Sequence, residues 1–116
     1  MRPPANGPED VLLDLASKME SDGSMPGDNP ESRASATAVA LLAFLSQGHT
    51  PSSGAFRSHV ARLLKFLKSL TGLSKQHESL IASLVAKAEK GQSPAGDWLH
   101  LATTPGPHWD ELTKVY

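Results

Sequence analysis

The chain has 116 residues, with 11 basic and 12 acidic side chains, a formal net charge of −1 and no cysteine. That length suits one domain with a single core. Near-neutrality argues against a global pull toward nucleic acid or an anionic membrane. The missing cysteines exclude a disulfide scaffold, a cysteine-based zinc site and a thiol nucleophile.

Aromatic residues make up only 5% of the chain. Alanine and leucine abound, and no stretch alternates β-branched residues with period two, so the expected class is all-α. The reading is a compact bundle of four main helices with one or two short C-terminal helices. Residues 1–7 are expected to be a flexible leader and residues 8–116 a single helical domain. MRPPANGP lacks the apolar core of a signal peptide. The longest apolar run, Ala38 to Leu45, falls far short of the about 20 residues that span a bilayer. The expectation is a soluble, cytoplasmic product without a membrane partner.

In chain order, Pro8 can open a first helix, with Glu9 and Asp10 at the positive end of its dipole. Val11, Leu12, Leu15, Ala16 and Met19 form its apolar stripe, and Asp14 and Lys18 should pair at i,i+4 on the wet side. The helix should stop near Glu20, because turn formers fill Ser21 to Asn29. Pro30 restarts a helix capped by Asp28 or Asn29. From Ala34 to Leu45 its only polar side chains are Ser35 and Thr37. A helix apolar on nearly every side is central, and its alanines let neighbours come close. Gln47-Gly48 ends it.

Ser52 or Ser53 is expected to cap the third helix. Phe56, Val60, Leu63, Leu64, Leu67 and Leu70 recur at helical spacing, and Arg57, Arg62, Lys65 and Lys68 fall on the opposite face. Thr71-Gly72 ends this helix, and Ser74 caps the fourth. Leu73, His77, Leu80, Ile81, Leu84, Val85 and Ala88 line its inner side as far as Gly91. Asp97 can cap a short helix through Trp98, Leu99, Leu101 and Ala102, broken at Thr104-Pro105-Gly106-Pro107. A last turn or two over His108 to Tyr116 would turn Trp109, Leu112, Val115 and Tyr116 inward.

No catalytic or cofactor constellation stands out. Ser21-Asp22-Gly23-Ser24 with Asp28 has the acids of a divalent-metal loop but not the alternating ligands and closing glutamate of a calcium site, so it reads as a structural turn. The five histidines, His49, His59, His77, His100 and His108, show neither i,i+4 zinc spacing nor HExxH, and read as surface or packing residues. A ring nitrogen of His49 is placed to hold the Thr50-Pro51 loop through the backbone. No GxSxG, GxxxxGK[ST] or GxGxxG occurs. Catalytic, metal and cofactor residues are therefore expected to be none.

Two surfaces remain as candidates for protein binding. One is the basic face Arg57, Arg62, Lys65 and Lys68, which could meet an acidic partner or phosphates, although no aromatics interleave it for base stacking. The other is the ridge around Trp98 and Trp109, since tryptophan is enriched in binding hot spots. Plugging the end of the core is the competing role for these rings.

Three segments between Glu9 and Leu70, LLDLASKMESDGSM, ATAVALLAFLSQGHT and SGAFRSHVARLLKFL, carry a resemblance. Their order resembles the C-terminal helical region of proteins that combine a vault/inter-alpha-trypsin (VIT) domain with a von Willebrand A domain. It is also similar to one helical repeat of the α-toroid of terpene cyclases and prenyltransferases. The motifs that carry it are Asp22-Gly23-Ser24 and Gly48-His49-Thr50. Met25 stands where the toroid repeat expects an aromatic residue, no Asp-rich cyclase motif is present, and one unit cannot enclose a substrate. The resemblance implies a helical accessory or docking domain.

These readings converge on a non-enzymatic interaction or scaffold domain. Its partner would be another protein or a second copy, with neither a small-molecule substrate nor nucleic acid expected. The alternatives are a fragment or relative of an α-toroid enzyme and a nucleic-acid-binding helical module using the basic face of the third helix.

Overall fold

In the structure, a computed structural model, the described residues form six α-helices: α1 (Pro8–Lys18), α2 (Pro30–Ser46), α3 (Arg57–Ser69), α4 (Lys75–Glu89), α5 (Trp98–Ala102) and α6 (Trp109–Val115). Residues 8–92, 94, 96–104 and 108–115 are described. The expected leader over 1–7, the break at Pro105-Gly106-Pro107 and Tyr116 lie outside them. Four main helices precede two short ones, and no strand occurs among the described residues.

α2 is the axis of the molecule. Asn29 caps it, its side chain accepting from Ser32 N–H at 2.8 Å, and Pro30 occupies the first turn. From Thr37 to Leu45 every residue is buried. α1, α3, α4 and α5 all pack against it, which is how a helix without a polar face keeps water away on every side. Ala34, Ala38, Ala40 and Ala43 are no more than 1% exposed, and such small side chains let neighbouring helices come close. Gly48 closes the helix at φ +86°, the left-handed cap expected of it.

The outer helices follow their stripes. α1 turns Leu12 and Leu15 inward, and Asp14 pairs with Lys18 at 3.0 Å. α3 buries Val60, Leu63, Leu64 and Leu67. α4 is capped by Ser74, which accepts from His77 N–H, and buries Leu80, Ile81, Leu84, Val85 and Ala88. Asp97 caps α5 by accepting from His100 N–H. α6 buries Leu112. Each fully buried leucine contributes about 1.5–3 kcal/mol relative to exposure, so the short helices are held by packing rather than propensity.

The expected cap of α3 needs correction. Phe56 occupies the cap position and makes no side-chain cap bond. Ser53 is engaged in the loop instead: its N–H donates to Thr50 Oγ1 at 3.1 Å, and the two hydroxyls are 2.9 Å apart. Thr50 N–H also donates to Ser53 O at 2.9 Å. Thr50 thus closes a local turn that competes for the serine, as such side chains commonly do.

Candidate functional site

The Asp22-Gly23-Ser24 turn is where α1, α2 and α3 meet. Asp22 Oδ1 accepts from both Ser24 N–H (2.9 Å) and the Ser24 hydroxyl (2.6 Å). Ser24, fully buried, accepts in turn from Arg33 Nη2 of α2 at 2.8 Å. Those two Ser24 hydrogen bonds, with the Arg33 guanidinium 3.8 Å away, hold the Asp22 carboxyl below its ordinary titration range. One residue on, Met25 N–H donates to Thr37 Oγ1 at 2.9 Å, and Thr37 donates to Arg33 O at 2.6 Å. The two hydroxyl-bearing residues that interrupt the apolar run of α2 therefore differ in purpose: Ser35 satisfies Ser32 O within its own helix, whereas Thr37 anchors the preceding loop. Among the described residues no group of three His, Asp or Glu side chains is placed to hold a metal.

The four cations of α3 are all exposed but differ in what they touch. Arg62 Nη2 donates to Glu20 O (3.3 Å) and Ser21 O (3.1 Å), so it closes the turn after α1. Lys68 Nζ pairs with Glu89 Oε2 of α4 at 3.1 Å. Arg57 and Lys65 remain exposed, without a side-chain partner among the described residues. Lys65 and Arg62 border a cleft of about 350 Å³ that Asp22, Ser21, Phe66 and Ser69 complete.

Between α3 and α4 lies a larger groove, about 530 Å³. Leu67, Leu70, Leu73, Ile81 and Val85 line it, and Ala82 and Ala86 form its exposed shoulder. Lys68, Glu78 and Glu89 stand along it. Small residues on α4 leave a concave apolar strip with charged edges, the form in which helical proteins receive a partner's apolar side chains. Ala82 and Ala86 belong to no sequence motif; the outward alanine positions of an otherwise amphipathic α4 were the available signal.

The two tryptophans separate. Trp98 is 1% exposed and belongs to the hydrophobic core, so it forms no part of an exposed ridge. Trp109 is half-buried at the edge of that core and stacks on His77, with ring centroids 3.8 Å apart and planes 5° from parallel. His77 Nδ1 meets Glu31 Oε2, and Glu31 Oε1 accepts from Ser74 N–H at 3.4 Å. The first turn of α2, the first turn of α4 and α6 are thereby tied at one point.

The remaining histidines are packing residues or surface residues. His49 packs edge-on against Phe44 and Phe56, and its Nδ1 is buried without a hydrogen-bond partner among the described residues, so this nitrogen does not hold the loop as expected. His59 rests on Phe56 with its Nδ1 likewise unpartnered. His108 is 9% exposed and its Nε2 lies 3.0 Å from Thr104 O, while His100 is exposed.

No helix among the described residues is long and apolar enough to cross a membrane. No family model matches the chain, and neither a curated protein nor a solved structure matches it.

Proposed function

We propose that the chain is a non-enzymatic, cytoplasmic helical domain that mediates protein–protein contact, with the groove between α3 and α4 as its docking surface. The observation that carries this reading is the groove itself: an apolar strip of about 530 Å³ with Lys68, Glu78 and Glu89 at its margins. A partner's apolar side chains gain by leaving water there, and the marginal charges set their orientation. The resemblance of Glu9 to Leu70 to the helical region of VIT and von Willebrand A proteins points to the same accessory or docking role.

The test compares wild type with Ala82→Arg/Ala86→Arg as bait in native extract, alongside light scattering of each over a wide concentration range. Both alanines are exposed, so the variant is expected to fold, as far-UV circular dichroism will check. A partner held by wild type and lost by the variant supports the groove, as does a wild-type oligomer that the variant dissolves. Identical capture by both baits, with a monomer throughout, would exclude it.

A further inference from the structure

The groove between α3 and α4 has both a pitch and a direction. On α4, Glu78, Ala82 and Ala86 follow one another at i, i+4 and i+8, and Ile81, Val85 and Glu89 do the same in the next row. Rows at that spacing are the ridges by which helices interlock, and the furrow between two rows accepts a ridge of another helix. Here one ridge is cut down to the methyl groups of Ala82 and Ala86, both exposed. Ile81 and Val85 are only 4% and 7% exposed, so an occupant reaches the apolar floor by coming close over those two alanines. A helix can do so along its whole face. From Glu78 to Glu89, α4 offers it about 16 Å, or about three turns.

The two ends of the groove differ in charge. At the Glu89 end, Lys68 Nζ lies 3.1 Å from Glu89 Oε2, and the two charges offset each other. At the other end, Glu78 is exposed and has no side-chain partner among the described residues. The charge left without an ion pair along the groove is therefore one carboxylate at one end of an apolar strip.

We propose that the occupant of this groove is an amphipathic helix of a partner protein, with its apolar face over Ala82 and Ala86 and a lysine or arginine at one end set against Glu78. This rests on the docking role given to the groove above and adds the shape and charge of what docks. The partner's apolar side chains supply the hold by leaving water. Its cation supplies the direction, since a reversed helix would bring it beside Lys68. Glu78 is exposed, so solvent screens the pair, and the cation is expected to add about twofold to fivefold in affinity.

The test is selection from a displayed library of helix-forming peptides of about three turns, built on an alanine and glutamine framework with the apolar positions and both ends randomised. Wild type is expected to retain peptides with apolar residues at i, i+3, i+4 and i+7 and a lysine or arginine at one end. Glu78→Lys should turn that end preference to aspartate or glutamate, Glu78→Gln should remove it, and Ala82→Arg/Ala86→Arg should retain no peptide. In a retained peptide, replacing the terminal cation by glutamine should weaken binding to wild type about twofold to fivefold by fluorescence anisotropy, and leave binding to Glu78→Gln unchanged. Far-UV circular dichroism checks each bait, and Glu78→Gln stays informative if Glu78→Lys folds poorly.

Retained peptides with alternating rather than helical spacing, an end preference indifferent to Glu78, or no retained peptide would overturn the inference. So would a wild-type oligomer dissolved by Ala82→Arg/Ala86→Arg, which would make the occupant a second copy. In each of these cases a native partner or oligomer still lost by that double variant leaves the docking role standing, and only the basic-ended helix falls. If the double variant retains the same peptides as wild type, the docking surface is misplaced and both fall.

Discussion

Arg62 and Gly23 fit together backbone to backbone: a Cβ on Gly23 would lie 2.3 Å from the Arg62 carbonyl oxygen, while the Arg62 guanidinium closes the carbonyls of Glu20 and Ser21. The turn after α1 thus sits directly against α3, and only a residue without a side chain permits that approach. Gly23 also has φ +89°, where L side chains are strained. Gly23→Ala should therefore suffer both the left-handed penalty and a backbone clash. Gly48 offers an internal control, since it has φ +86° and a Cβ added there would meet nothing within 4 Å.

The expected loss for Gly48→Ala is about 1–2 kcal/mol, from conformation alone. Gly23→Ala should lose clearly more, about 3 kcal/mol or above, because α1 and α3 must also move apart. Urea denaturation of the two variants measures the difference. Equal losses would mean that the turn and α3 are not packed as described.

Asp22 makes a pH-dependent contribution of predictable sign. Its folded carboxyl titrates below the ordinary range because Ser24 donates twice to it, and Arg33 adds attraction. In acid, the unfolded chain therefore takes up this proton first. The stabilisation is present above the ordinary carboxyl range of about pH 4 and fades as pH falls through the lowered folded value. Melting temperatures of wild type and Asp22→Asn, taken from neutral pH downward, should differ most at neutrality and converge in acid. A difference that stays constant with pH would show that the carboxylate charge plays no part.

The tryptophans should respond differently to truncation. Trp98 is fully enclosed where α5 meets α2, so Trp98→Ala is expected to cost about 3–5 kcal/mol. Trp109 is half-buried and chiefly stacks on one imidazole, so Trp109→Ala should cost about 1–2 kcal/mol and leave the four long helices cooperative. Denaturant titrations followed by far-UV circular dichroism decide this. If the two variants lose the same stability, Trp98 is not the core plug the packing makes it.

The order and limits of the main helices were legible because the cues act over a turn or two. Asn29, Ser74 and Asp97 each cap the helix they precede by accepting from an N–H three residues on, a bond that depends only on local geometry. The central position of α2 was legible for a different reason: no arrangement other than enclosure leaves a helix so poor in polar side chains out of water. Ser53 shows where local cues fail. Two hydroxyl residues within one loop compete for the same backbone, and Thr50 prevails.

Composition and periodicity by themselves determined an all-helical chain with a buried alanine-rich second helix, since both follow from which side chains avoid water at a repeat of 3.6 residues. Tertiary structure decided what the polar and aromatic residues do. Arg62 meets carbonyls 41 and 42 residues away, Lys68 meets Glu89 across 21 residues, and His77 meets Glu31 across 46. A helical wheel shows which way such a side chain points but not which helix stands opposite it. The basic stripe of α3 is for that reason divided between a turn closure, an inter-helix ion pair and two cations without a side-chain partner among the described residues, and the two tryptophans between the core and its edge.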